Sequence, residues 1–340
     1  MPGAAAATAL LVAMATGAAA AAAQERSCSP FDPGPPTASL APPGECVFGE
    51  EWAPAPLLQR EAISHDTILL TFGLADAAKP LGLSTCACLL VQGGADAVVR
   101  PYTPVSTNAV VGRFDLMVKV YGDAQGGGAL SRHLDALQVP PHPKPPLRAR
   151  TEVNAWFARQ IGDTVNVKHI PFNVKIQYPF GKKKLGMLVG GTGITPMLQV
   201  HRCHQAGRRP GPDAACWPQA LHALLGTAGD DTEITLLDSN RQAKDILARE
   251  ALDAWSAAHG QLSVVHTLTR EPGDSDWPGL RGRIDRALIE EHMPPPGEGA
   301  LIFVCGPPAM YDTLTGPRGD KELSGLLAEM GYEAAQVVKF

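Results

Sequence analysis

Two glycine- and proline-bearing phrases could arrange chemistry on a phosphorylated ligand. One is Gly190-Gly191-Thr192-Gly193-Ile194-Thr195-Pro196, directly after the apolar run Leu185 to Val189; the other is Val304-Cys305-Gly306-Pro307-Pro308-Ala309-Met310. A glycine turn that opens a helix lets backbone N–H groups approach an anion, and ligands of a parallel sheet lie beyond the carboxyl ends of its strands. Alone, such a loop is an ordinary tight strand-to-helix connection. Two of them in one sheet can line one dinucleotide cleft. A third phrase, Arg100-Pro101-Tyr102-Thr103-Pro104-Val105-Ser106, places a guanidinium, a phenol and two hydroxyls within seven residues. The arginine fork suits a phosphate and the tyrosine face an aromatic ring. By itself this segment reads as a strand edge with a proline-bounded turn.

The elements that must hold these phrases change character along the chain. Between Phe48 and Phe180, short apolar and β-branched runs (Thr67 to Phe72, Ala97 to Arg100, Arg113 to Tyr121) alternate with Gly, Pro and Asp turns. That spacing predicts an antiparallel barrel. From Leu185 onward, strand runs at Leu185 to Val189, Glu233 to Leu237, Leu262 to Thr267 and Ala300 to Cys305 alternate with helical stretches at Asp245 to His259 and Lys321 to Met330. This predicts a parallel sheet flanked by helices. The chain has 340 residues, 34 acidic against 29 basic, for a net charge of −5; 45% are hydrophobic and 19% charged. Such a chain can offset its conformational entropy by burial and lacks the cationic excess of a nucleic-acid binder. Seven cysteines at irregular spacing do not read as a disulfide framework.

Together the phrases resemble the NADH-cytochrome b5 reductase family, a branch of the ferredoxin-NADP reductase class. The matching runs are RPYTPVS at 100–106, GRFDLMVKVY at 112–121, Gly127-Gly128 with Ser131, GGTGITPM at 190–197, CGPPAM at 305–310 and the carboxyl end from Gly331 to Phe340. The resemblance implies a two-domain protein: an antiparallel β-barrel FAD-binding domain over 48–181, then an α/β parallel-sheet NAD-binding domain over 182–340. It implies hydride transfer from NADH to FAD and single-electron transfer to cytochrome b5 or a similar haem protein. By position it places Thr103, Lys119, Thr195 and Cys305 at the reacting rings. The FAD side would be built by Arg100 on the phosphate, Pro101, Tyr102 and Thr103 on the isoalloxazine, Ser106, Met117 and Lys119, and Gly128, Ala129, Leu130 and Ser131 at the pyrophosphate. The NAD side would be built by Gly191, Thr192, Gly193, Thr195, Pro196, Thr269, Gly306, Pro307 and Met310. No metal, general acid or nucleophile is required, because the cofactors hold the chemistry and the protein supplies geometry.

This chain departs from the family in four places. Thr267-Leu268-Thr269-Arg270 stands where the family has Thr-Leu-Asp; an acid there accepts from the 2′-hydroxyl of NAD and repels a 2′-phosphate, so discrimination against NADPH is expected to be relaxed. The plain alternative is a solvated turn with NADH still used. Gly122 replaces a common aromatic residue after Tyr121, which loosens the adenine side of the FAD site. Finally, residues 139–160 and 200–219 interrupt family-like phrases. Removing them rejoins LDALQ with IGDTV and GGTGITPMLQ with ALHALLG. Each insert begins with Val, whose codons begin GT, and ends with Gln, one of whose codons is CAG. Both are therefore read as in-frame introns retained in the sequence, to be tested on the transcript.

His201, Cys203, His204 and Cys216 could be taken for a zinc set, but they fall within the second insert and follow no standard finger spacing. Cys86 and Cys88 are expected on one face of a strand as inert buried thiols. Lys182-Lys183-Lys184, with Lys168 and Lys175 upstream, reads as a solvated linker or, more sharply, as a docking patch for an acidic haem partner. Residues 1–23 form an alanine-rich apolar leader, compatible with a weak anchor, a cleaved signal or an organelle presequence, with the anchor preferred. Residues 24–47 form a tether, and proline-dense character runs from Ser27 to Pro56. An anchor would confine the enzyme beside an anchored partner, at the mitochondrial outer membrane or the endoplasmic reticulum, with its catalytic part facing the cytosol or the intermembrane space. The rival readings are another ferredoxin-NADP-reductase-like flavin reductase, or a reductase-shaped interaction protein without turnover if the inserts are translated.

Overall fold

The computed structural model describes residues 45–106, 108, 110–122, 128–139, 162–170, 174–198 and 220–340. The leader, nearly all of the tether, the inserts (save Val139) and the four residues of the zinc-like set lie outside the described residues.

The first half is an antiparallel half-barrel of six strands in the order β4-β3-β6-β1-β2-β5. These are β1 (Ala53–Ala62), β2 (Thr67–Gly73), β3 (Leu89–Gly93), β4 (Val98–Tyr102), β5 (Arg113–Lys119) and β6 (Thr164–Lys168). Every residue of β2 is buried, as expected of a Val/Ile/Leu/Thr/Phe run packed on both faces. Its core gathers Leu57, Leu70, Phe72, Leu89, Phe114, Leu116 and Val167, with Phe72 stacked on Phe114 at 5.6 Å between centroids.

Three sequence expectations are corrected here. The tether does not reach Pro56: Phe48 is buried, and Ala53 to Pro56 pair with β6. β1 accepts two prolines because this stretch is laddered to β6 alone, whereas Leu57 to Ala62 pair with β2 beyond a bulge; a proline is tolerated where one side of a strand needs no donor. The same reasoning extends β4 past Arg100, since Pro101 pairs with Leu90 on an edge strand. Cys86 and Cys88 share no strand, because β3 begins at Leu89 and Cys86 has φ +60.

The second half is a six-stranded parallel sheet in the order β10-β9-β8-β7-β11-β12. Its strands are β7 (Lys184–Gly190), β8 (Glu233–Asn240), β9 (Leu262–Leu268), β10 (Leu280–Arg281), β11 (Ala300–Cys305) and β12 (Val337–Lys339). The chain runs outward from β7 to β10, then returns to lay β11 on the other side of β7. The reversal of strand order therefore lies between β7 and β11, the crevice where such sheets take ligands. The helices are α1 (Ala129–Ala136) beside the half-barrel, then α2 (Ala220–Gly226), α3 (Arg249–Ala258), α4 (Arg286–His292), α5 (Pro308–Leu314) and α6 (Gly325–Glu329). α3 begins later than the expected Asp245, because Ala248 takes a left-handed φ of 55 and separates it from a short 3-10 turn at Ala243–Asp245.

One apolar cluster joins the halves: Leu69, Cys86, Val105 and Met117 pack with Met187, Val189, Ile194, Met197 and Leu198. The seam is thus a shared core, and any site on it is shielded from water on two sides.

Candidate active site

At the switch point the two glycine-bearing strand ends touch. β7 runs into a 3-10 turn over Gly191–Ile194, and a Cβ placed on Gly193 would overlap the carbonyl oxygen of Cys305 at the end of β11. Gly193 is there because two backbones meet, which no side chain permits. A Cβ on Gly190 would press on Pro307 and Met310, and one on Gly306 on Met310. Gly193→Ala should therefore force the β7 and β11 ends apart at a cost of about 3 kcal/mol, the upper range for overpacking. Thermal unfolding together with the NADH Michaelis constant would register it; an unchanged Tm and Michaelis constant would refute this account of Gly193.

Thr195 follows the turn, 9% exposed, its hydroxyl donating to the Thr192 carbonyl at 3.0 Å. The Pro196 carbonyl accepts from the Cys86 thiol of the half-barrel at 3.3 Å, a direct bond across the seam. Burial pushes the Cys305 thiol up to about 11, against a hydrogen bond with Tyr311 that lowers it. It is a neutral, polarisable wall at physiological pH, with no thiolate to act as nucleophile. The single Tyr311 O–H lies between the main-chain oxygens of Val304 and Phe340 and is shared by them, tying the carboxyl end to β11.

Across the seam, β4 carries Arg100, Pro101 and Tyr102, with Thr103 half-buried just beyond. Arg100 is exposed and uses Nη1 on the Val99 carbonyl at 2.7 Å. Burial, then Tyr121, raise the Tyr102 phenol to about 12 against the lowering influence of Arg100, so it offers a neutral ring face and hydroxyl. α1 has no side-chain cap at its amino end: Gly128, with φ 102, stands at the cap position. The first N–H groups of α1, at Ala129 and Leu130, are thereby left for an external anion. A Cβ on Gly128 would strike Tyr121. Leu130 buries its side chain in the half-barrel core, leaving only its backbone to the site. Ser131 donates to the Gly128 carbonyl at 3.0 Å and accepts from the Tyr121 N–H at 3.2 Å, so it shapes the turn. This uncapped helix start beside a guanidinium and a phenol fits a pyrophosphate joined to an aromatic ring, the donor set FAD requires.

Ser106, Met117 and Thr269, all expected at the site, also make contacts within the fold. Ser106 is buried and accepts the Asp115 N–H at 2.8 Å, which locks β5. Met117 lies inside the seam core. The lysine run is paired with its own fold: Lys183 with Asp231 at 2.6 Å, Lys184 with Glu233 at 3.3 Å, and Lys182 with the Glu298 carbonyl at 2.5 Å, while Lys168 lies over the Trp52 ring. Two of the run's charges, those of Lys183 and Lys184, thus face carboxylates in solvent-exposed pairs. Thr269 directly follows β9 and ties back to β8, its N–H and hydroxyl both donating to the Asn240 carbonyl at 2.9 and 3.2 Å. The Arg270 N–H bonds to the Arg241 carbonyl at 2.8 Å. Two arginines, from two adjacent strand ends, therefore flank the position where the family has an acid; sequence spacing could show only one of them.

Lys119 ends β5 with its ammonium 2.6 Å from Asp66 and 3.7 Å from Asp245 of the second half. Among the described residues, His65, Asp66 and Asp245 are the group whose ligand atoms lie within 4.8 Å of one another. The ammonium of Lys119 already supplies positive charge there. None of these three was singled out by sequence, since their meeting depends on docking of the two halves.

At both insert positions the flanking residues are hydrogen-bonded to each other. The Leu221 N–H donates to the Met197 carbonyl at 3.1 Å, and the Asp163 N–H to the Gln138 carbonyl at 3.3 Å, while Asp163 Oδ2 accepts from the Gln138 N–H at 2.8 Å.

Fold and site together define an oxidoreductase with separate flavin and nicotinamide domains. Residues 54–142 match the family described as Oxidoreductase FAD-binding domain, and 187–315 the one described as Oxidoreductase NAD-binding domain. The chain is 32% identical over 310 residues to an NADH-cytochrome b5 reductase-like protein of Arabidopsis thaliana, covering 88% of this chain and 79% of that one. It is 34% identical over 274 residues to NADH-cytochrome b5 reductase 2 of Mus musculus, covering 78% and 88%. Among solved structures it is similar to the cytochrome b5 reductase domain of Ulva prolifera nitrate reductase, with a TM-score of 0.60, 27% identity, and coverage of 90% and 100%. The chain belongs to the NADH-cytochrome b5 reductase-like family of FAD- and NAD-binding oxidoreductases.

Proposed function

We propose that this protein takes hydride from NADH onto FAD and releases electrons one at a time to cytochrome b5 or a similar haem protein. The supporting observation is the meeting, on one apolar seam, of the β7 and β11 strand ends with Met117 and with Val105, which follows the Arg100 to Pro104 segment. Bound FAD would supply the conversion of a two-electron donor into a one-electron donor. Arg100 and the open N–H groups of α1 would hold its pyrophosphate, and Tyr102 and Thr103 its ring. Gly191 to Pro196 would receive the nicotinamide cofactor, with Cys305 and Pro307 forming the opposite wall. The shared core around Met117 and Ile194 keeps water from the place where the rings would meet. The relatives' names support the haem acceptor.

The purified chain should be yellow, bleach on anaerobic addition of NADH, and then reduce cytochrome b5. Flavin bleaching and ferricyanide reduction without cytochrome b5 reduction would redirect the proposal to another acceptor. A colourless protein that takes up no FAD would end it.

Cofactor choice is proposed to be relaxed. With Thr269, Arg270 and Arg241 at the strand ends, kcat/KM for NADPH should lie within about tenfold of that for NADH, a difference of about 1.4 kcal/mol. Thr269→Asp should shift the ratio toward NADH by tenfold or more, in the sense of about one unfavourable charge pair. A wild-type preference for NADH of several orders of magnitude would remove this reading. Membrane attachment through residues 1–23 is likewise proposed; among the described residues no helix is long and apolar enough to cross a membrane.

A further inference from the structure

The seam between the halves is apolar and therefore tolerant of sliding, since dispersion and burial have little directionality. Hydride transfer tolerates little: reacting atoms must approach within about 3–3.5 Å, and small misplacements lower the rate steeply. Directional contacts must set the register, and the Cys86 thiol on the Pro196 carbonyl is a weak one. The described residues hold one charged cluster suited to this. On the half-barrel side, Asp66 sits in the turn between β1 and β2, its carbonyl accepting from the Val120 N–H at 2.7 Å. Its carboxylate holds the Lys119 ammonium at 2.6 Å. On the other side, Asp245 is 7% exposed and fixed by its own turn: Oδ2 accepts from the Gln242 N–H at 2.9 Å. That leaves Oδ1 to face the seam, 3.7 Å from Lys119 Nζ and 3.4 Å from His65 Nε2.

We infer that Asp245 is a positioning residue that sets the register of the two halves through Lys119 and His65, and so sets the rate of flavin reduction; the inference rests on the reductase reading above. Both partners are held before they meet, Lys119 by Asp66 and Asp245 by Gln242, so little side-chain entropy is lost in joining them. The contacts across the seam, at 3.4 and 3.7 Å, are longer than the 2.6 Å bond within the half-barrel. The clamp is therefore tight on its own side and yielding across the joint. A crevice of about 200 Å³ lies beside this cluster, between Ile63 and Ser64 on one side and Lys244 and 246–251 on the other, leaving room for the joint to open. Burial raises the Asp66 carboxyl, but Lys119, His65 and Thr67 together outweigh it and hold the group below its ordinary value.

The test uses the full chain loaded with FAD. Asp245→Asn keeps an oxygen for the Gln242 N–H and removes the charge facing Lys119. Its limiting rate of flavin reduction by NADH, measured by anaerobic stopped flow, should fall about tenfold, with FAD content and Tm unchanged. The ferricyanide reaction of chemically reduced flavin should keep its rate, because electron exit does not depend on the joint. Asp245→Glu should recover part of the loss, and Lys119→Met combined with Asp245→Asn should lose less than the product of the two single losses, because only the His65 arm is left for Asp245 to act through. Wild-type reduction rates in Asp245→Asn, or strictly additive losses in the double variant, would overturn the inference. If wild type itself binds FAD but is not reduced by NADH, the reductase reading fails instead.

Discussion

Deleting residues 139–160 and 200–219 together should raise the Tm of the FAD-loaded protein and leave NADH oxidation at least as fast. The reasoning comes from the flanks. With 200–219 gone, Leu221 stands four places after Met197, so its 3.1 Å bond to the Met197 carbonyl is the i+4 to i bond of an α-helix. The 3-10 turn at Gly191–Ile194, the residues to Leu198 and α2 then form one helical path from the glycine turn. With 139–160 gone, Asp163 stands three places after Gln138, and its 3.3 Å bond to the Gln138 carbonyl is that of a four-residue turn. Each junction is thus already bonded as if its ends were chain neighbours. Closing a loop of this length costs about 2–3 kcal/mol in its length-dependent part, so each deletion should return about that much stability. The measurement is thermal unfolding of single and double deletions beside the full chain. A deletion that lowers Tm, or that abolishes FAD uptake, contradicts the junction geometry. A mature transcript that encodes both segments would separately end the intron reading.

The same junctions show what was legible in the sequence and what was not. The crevice was legible because its constraint is local: Gly190 to Gly193 and Cys305 to Pro307 need backbone approach, and only glycine allows it. The Arg100 segment was legible because Arg, Tyr and the prolines announce an edge strand with polar ends. Tasks that depend on a distant partner were hidden. Ser106 looked like a ligand hydroxyl until the strand carrying Asp115 came within 2.8 Å. Lys183 looked free until Asp231, 48 residues away, took its charge. Arg241 and Asp245 carried no signal, because their meaning arises only when β8 lies beside β9 and the halves dock. The prolines of β1 misled for a related reason: composition says tether, whereas pairing on one side alone makes them tolerable in a strand.

The largest single-site effects should come from a pair the reductase chemistry does not use. Asp238 of β8 and His266 of β9 face each other in the sheet with side chains 2% and 9% exposed, Oδ2 to Nδ1 at 3.1 Å. Asn240 donates to the same Oδ2 at 2.9 Å. Among the described residues, Asp238 Oδ1 and His266 Nε2 have no hydrogen-bond partner; the nearest acid to Nε2, Asp253, is 3.7 Å away. Burial raises the Asp238 carboxyl, more than His266 and Asn240 lower it. Removing one member leaves the other buried and unpaired, so Asp238→Val and His266→Leu should each cost about 3–5 kcal/mol in denaturant unfolding. Replacing both fills the space with apolar atoms and should be neutral or stabilising by about 1–4 kcal/mol. The pH dependence gives an independent check with a defined sign. Because the folded state holds the Asp238 proton more tightly than the unfolded state, this group's contribution is complete below the unfolded carboxyl pKa and is lost as pH rises through the raised folded value. The double variant should lack that loss on the alkaline side of the ordinary carboxyl range, while wild type shows it. Single variants as stable as wild type, or a double variant less stable than either, would mean that the pair holds the sheet together by something other than mutual neutralisation.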